Sequence, residues 1–191
     1  MTEMKWLACT KPQAMLRFLK GKVSERKLRL FAVALHREYH HREPKFSGPK
    51  SNLAADTAEA FAEEGRSVDS ISRLRLGGYF VLNPTGYGAA TRLANIGDVP
   101  DAFKCSKLRC IFGPLPFRSV SIKTAWLTWH DGTIPKLAQV IYDDRAYDRL
   151  PILADAIEEA GCTDAELLGH LRAKEDHAKG CWALDAILGK D

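Results

Sequence analysis

Apolar side chains return at three- and four-residue steps through much of this chain. After Ser24, a plausible N-cap, Leu28, Phe31, Ala32, Leu35 and Tyr39 share one side of a helix. Ile134, Leu137, Ala138 and Ile141 repeat the spacing, and so do Leu150, Leu153, Ala154 and Ile157. This is the signature of amphipathic helices. Punctuation residues divide the pattern. Thr10 and Pro12 suit the start of an early helix that Gly21 stops, and Gly161 stands where a C-terminal glycine belongs. Thr163, Asp164, Ala165 and Glu166 read as a capping box, and a final helix is expected from about His177 to Leu188.

The middle is less regular. Residues 36–52 turn polar and carry breakers, Pro44 and the Ser47-Gly48-Pro49 run, so a loop is expected there before a helix from Leu53 to Glu64. Residues 65–115 are a distinct middle region. Within it, residues 77–82 fit a short strand as well as a helix, and two short helices are expected over Ala89–Ile96 and Ala102–Phe112. Successive amphipathic helices on short links imply a mainly α fold, an antiparallel multi-helix array or bundle in one domain over residues 1–191.

Composition narrows the function classes. A hydrophobic share of 46% against 27% charged residues supports a folded core and excludes a disordered chain. The net charge of +4 is too small to imply an obligate nucleic-acid binder. Residues 163–172 and 177–188 have the outline of a helix-turn-helix, but the second helix lacks the Arg, Asn and Gln that read bases. No apolar run reaches the roughly 20 residues that span a bilayer, and no apolar leader follows Met1. Five cysteines, an odd number without tight spacing, fit reduced thiols in a cytoplasmic protein.

Two constellations carry possible chemistry. His170, His177 and Cys181 lie close in sequence, and on one helix the step from His177 to Cys181 puts both on one face. Zinc takes four N or S ligands in structural sites and three plus water in catalytic ones; Cys105 and Cys110 could complete a set, although their gap of five is not the compact C-x-x-C arrangement. The same residues offer a Cys-His pair, although the partners of such pairs usually come from separate elements. The alternative is that Cys181 is a small buried hydrophobe and the histidines cap helix ends. The second constellation is aromatic and acidic: Trp126, Trp129, Asp131, Tyr142, Asp143, Asp144, Tyr147 and Asp148. Exposed, it makes a protein-binding surface; buried, its tryptophans are core anchors. Phosphate-loop, dinucleotide and zinc-protease fingerprints are missing.

Several phrases carry a family resemblance. Trp6-Leu7-Ala8-Cys9-Thr10 and Lys27-Leu28-Arg29-Leu30-Phe31-Ala32 open it. It returns at Ile111-Phe112-Gly113, at Ala125-Trp126-Leu127-Thr128-Trp129, at Asp131-Gly132-Thr133, at Lys136-Leu137-Ala138-Gln139, at Ile141-Tyr142-Asp143 and at Gly180-Cys181-Trp182. Together these resemble a family of uncharacterised planctomycete proteins, over roughly the first 35 and last 80 residues. Members tend to carry paired cysteines just after the segment matching Phe31, where this chain has Ala34 and Leu35, which counts against a metal role for that helix. The resemblance implies a helical protein and brings no activity with it.

The reading of the sequence is therefore a non-catalytic intracellular interaction or scaffold module whose partner is another protein, with no cofactor expected. Partner contact is assigned to Trp126, Trp129, Tyr142, Asp143, Asp144, Tyr147 and Asp148. The alternative is a metal-dependent or cysteine-based enzyme using His170, His177 and Cys181, with zinc as its cofactor.

Overall fold

In a computed structural model, which describes residues 1–64, 80–174 and 177–190, the chain is mainly α, and the described residues contain no strand. The N-terminal half comprises α1 (Glu3–Leu7), α2 (Pro12–Leu19), α3 (Glu25–Arg42), α4 (Pro49–Glu64), α5 (Gly86–Ala94) and α6 (Asp101–Phe112). The C-terminal half comprises α7 (Thr124–Thr128), α8 (Thr133–Asp144), α9 (Leu150–Glu159), α10 (Ala165–Leu171) and α11 (Trp182–Leu188). Among the described residues, no helix is long and apolar enough to cross a membrane.

The central helix α3 is longer than its apolar pattern predicts. Ser24 caps it, its hydroxyl oxygen accepting from the Lys27 amide, and Glu25 sits in the positive first turn. The polar stretch His36–Arg42, expected to be loop, continues this helix. His36 faces inward, 3% exposed, with Nε2 3.1 Å from Ser51 Oγ on α4. Its i,i+4 step from Ala32 extends the buried face, so packing against α4 overrides the polar composition. Arg42 places a cation at the negative helix end. Pro44 then disfavours helical geometry at Glu43, and the helix stops.

Smaller differences follow the same logic. Residues 77–79 lie outside the described residues, and Phe80–Leu82 form a 3-10 turn. Lys11, not Thr10, occupies the N-cap of α2, with Pro12 in its first turn. Asp164 rather than Thr163 caps α10, its Oδ1 accepting from the amides of Glu166 and Leu167 at 3.0 and 3.1 Å. Pro151 sits in the first turn of α9, where its missing N–H costs nothing. The expected helix from His177 is helical only from Trp182.

Two hydrophobic cores result. One gathers Trp6, Leu28, Phe31, Leu35, Leu108 and Phe112 from the N-terminal half. The other gathers Trp126, Ile141, Leu153, Leu167, Trp182 and Leu184 from the C-terminal half. Helix α6 belongs to both: Leu108, Ile111 and Phe112 pack into the first core and Cys110 into the second. The last turn of α6 is thus the seam of the molecule.

Candidate metal centre

Four side chains converge at this seam. Cys110 projects from the last turn of α6 and His170 from the last turn of α10. His177 and Cys181 flank the non-helical turn that leads into α11. One ligand atom from each lies within 4.8 Å of all the others. Cys110, His177 and Cys181 are buried and His170 is half-buried.

The distances have the scale of a coordination tetrahedron. His170 Nε2 is 3.2 Å from Cys181 Sγ; His177 Nδ1 is 3.7 Å from Cys110 Sγ and 3.8 Å from Cys181 Sγ. Zinc binds thiolate at about 2.3 Å and imidazole at about 2.0–2.1 Å, which makes a tetrahedral S···N edge about 3.5 Å. The three edges bracket that length.

The surroundings orient the ligands. His177 Nε2 lies 3.4 Å from the Ala173 carbonyl oxygen. With an ion bound, donation there would leave Nδ1, the atom facing both sulfurs, free to ligate. The His170 ring packs on the Trp182 indole at a centroid distance of 5.1 Å. Trp182 itself lies against Gly113, where a Cβ would fall 2.4 Å from the indole and φ is +52°. Gly180 has φ +86°, a conformation that favours glycine, and a Cβ there would fall 2.8 Å from Leu30 Cδ1. The backbone turn on which Cys181 depends is therefore glycine-specific.

A buried ammonium holds both cysteine segments. Lys27 Nζ donates to Ile111 O at 3.1 Å, to Gly180 O at 3.1 Å and to Asp185 Oδ2 at 2.7 Å. Ile111 follows Cys110 and Gly180 precedes Cys181, so one side chain from α3 holds the backbone beside both cysteines. Lys179 in the same turn pairs with Glu59 of α4 at 3.2 Å.

The electrostatics favour one thiolate. Burial opposes charge on Cys181, but hydrogen bonds from Cys110, His170 and His177 hold its thiol well below the ordinary range. Cys110 is pushed well above it by its hydrogen bond to Cys181 and by burial. A divalent cation held here would displace the remaining proton, because thiolate is the ligating form. Tyr147 lies beside His177, with ring centroids 6.5 Å apart. Burial pushes the Tyr147 hydroxyl upward, and that hydroxyl has no hydrogen-bond partner among the described residues.

The sequence-predicted residues thus divide. His170, His177 and Cys181 come together, but the last two meet across a turn and not on a helix face. Cys110 joins them and Cys105 does not. Five residues on a helix rotate the side chain by about 140°, and Cys105 packs into the other core. No spacing in the sequence marks Cys110. Of the aromatic and acidic set, Trp126 and Tyr142 lie inside the second core, 5% and 1% exposed. The Tyr142 hydroxyl donates to Glu63 at 2.6 Å and accepts from Arg26 at 2.7 Å. Trp129 is half-buried against His130, and Tyr147 is half-buried beside the metal cluster. Asp131, Asp143, Asp144 and Asp148 are exposed, Asp143 accepting from the Gln139 amide. Trp126 and Tyr142 are thus core residues, and the exposed members of the set are the aspartates.

No protein-family model matches the chain, and no curated protein or solved structure shows significant similarity to it.

Proposed function

We propose that this protein is a zinc-stapled, non-catalytic helical module. Cys110, His170, His177 and Cys181 hold the ion. The convergence of their four ligand atoms within 4.8 Å carries the reading. Four protein ligands fill a tetrahedron and leave no position for the water that catalytic zinc sites keep. That supports a structural ion over a metal-dependent enzyme, and the complete burial of Cys181 argues against its attacking any substrate much larger than water. The ion ties α6 to the turn before α11 and so locks the two cores together. A module of this kind acts by presenting a rigid surface to a partner protein. Exposed Asp143, Asp144 and Asp148 offer charge for such a contact.

The test is metal content. The chain purified under reducing conditions is expected to retain about one zinc, seen by native mass spectrometry and elemental analysis. Structural zinc sites bind with about 10–16 kcal/mol, roughly 3 kcal/mol per ligand, so Cys110→Ser or His170→Gln is expected to weaken zinc at least about a hundredfold. Cys105→Ser is expected to leave it unchanged. A chain that takes up no zinc, or whose zinc survives both ligand substitutions, removes this reading.

A further inference from the structure

We propose that Cys110 and Cys181 are a paired oxidation site: a hydroperoxide converts them to a disulfide and expels the metal. The inference rests on the zinc reading above. Of the cysteines among the described residues, only these two share a cluster; Cys9, Cys105 and Cys162 lie outside it. In a zinc tetrahedron their sulfurs are about 3.8 Å apart, and a disulfide needs about 2.05 Å. The missing distance is short. Cys181 sits where a turn passes into a helix, and Cys110 sits in a terminal helical turn, so neither is held in the middle of a long rigid element.

The chemistry balances with the peroxide as the single co-reactant. One thiolate attacks a peroxide oxygen, the O–O bond breaks, and the sulfur becomes a sulfenic acid while hydroxide leaves and is protonated to water. The second thiolate attacks the sulfenic sulfur, the S–S bond forms, and the departing hydroxide takes a proton to become the second water. Two thiolates, one hydrogen peroxide and two protons give one disulfide and two waters. Two electrons pass from sulfur to oxygen. What remains of the ligand set is two imidazoles, half of what a structural zinc site uses.

The surroundings give a small oxidant a route. His177 and Tyr147 line two cavities, of about 340 Å³ and 580 Å³. Each is far larger than a peroxide, whose size is close to that of water. His177 contacts both sulfurs directly, so one imidazole ring separates them from these cavities. The orphaned Tyr147 hydroxyl is a hydrogen-bonding group on the same route.

The experiment uses the full, reduced, zinc-loaded chain, alongside a Cys9→Ser/Cys105→Ser/Cys162→Ser variant that keeps only the pair. Hydrogen peroxide is added, zinc release is followed with a colorimetric chelator, and peptides are mapped without reduction. The expected result is release of about one zinc per chain and a linked Cys110–Cys181 peptide two hydrogens lighter than its parts. Dithiothreitol with added zinc is expected to reverse both. Zinc that stays bound under peroxide, or zinc lost while both cysteines are recovered as thiols or as separate sulfinic acids, overturns the inference. A reduced chain that never binds zinc defeats the underlying metal reading, so the two failures are distinguishable.

Discussion

Lys27 Nζ and Asp185 Oδ2 lie 2.7 Å apart where solvent does not reach, the two side chains being 3% and 1% exposed. The pair joins α3 to α11. Arg26 reinforces it from the same helix, its guanidinium donating to both Asp185 oxygens at 2.8 and 3.2 Å. Removing one charge of a buried pair leaves the other without compensation and costs about 3–5 kcal/mol. Asp185→Ala is therefore expected to lose about that much in a urea melt. Lys27→Met is expected to weaken zinc as well, because the carbonyls beside Cys110 and Cys181 lose their shared donor. Zinc affinity unaffected by Lys27→Met in a folded protein would show that this clasp does not set the ligand geometry.

Gly113 constrains the packing beside the proposed metal site. An alanine methyl there meets Trp182 at 2.4 Å in a backbone conformation with φ +52°. Trp182 must move, and it is the ring on which His170 packs. Gly113→Ala is expected to destabilise by about 2–4 kcal/mol and to lower zinc affinity. Gly97→Ala, where nothing lies within 4 Å, is the matched control and is expected to change neither property. Equal behaviour of the two variants in thermal melts and zinc titrations would refute the steric argument.

Glu59 anchors the ligand-bearing turn to α4. Its carboxylate accepts from Arg145 at 2.6 Å and Arg37 at 3.0 Å, and pairs with Lys179 at 3.2 Å. Glu59→Gln keeps the shape and removes the charge. With Arg37 and Arg145 partly exposed, the expected loss is modest, about 1–2 kcal/mol. The readout specific to the turn is faster zinc exchange, since Lys179 lies between His177 and Cys181. An unchanged exchange rate counts against the anchoring role.

Stability is expected to fall with acid. Burial, reinforced by the charges of His40 and Arg37 and opposed by the hydrogen bond with Ser51, pushes His36 down to about 4. Its unfolded value is near 6.5, so between these limits the unfolded chain binds more protons and stability rises with pH. The stabilisation is complete above about pH 6.5 and is lost as pH falls toward 4. Between pH 7 and pH 5 the expected loss from His36 is about 2 kcal/mol. Glu59 acts in the same direction at lower pH: burial raises its carboxyl, but Arg145, Lys179 and Arg37 outweigh burial and hold it low. Urea midpoints at both pH values, for the parent and His36→Gln, check this. An equal pH response in the variant excludes His36 as the cause.

The helices were legible because their pattern is local. Leu28, Phe31 and Leu35, or Ile134, Ala138 and Ile141, needed only three- and four-residue spacing to reveal a buried face. From sequence alone His36–Arg42 reads as loop, and it is helical for the complementary reason. A polar residue on a buried face is recognisable only once its partner is known, and here that partner is Ser51 on α4.

The sequence by itself determined the fold class and most helix positions, and it drew notice to three of the four clustered His and Cys side chains. His170, His177 and Cys181 are near enough in the chain for their types to draw notice. Only the tertiary structure separated Cys110, which is 67 residues before His177, from Cys105, which packs into the other core. It also replaced the expected helix through His177 with a turn that Gly180 makes possible and Lys27 holds. The physical reason is one of range. Backbone hydrogen bonding and amphipathic burial are set by near neighbours, whereas a ligand set is fixed by how distant surfaces pack. That packing places the end of α6 on both cores at once.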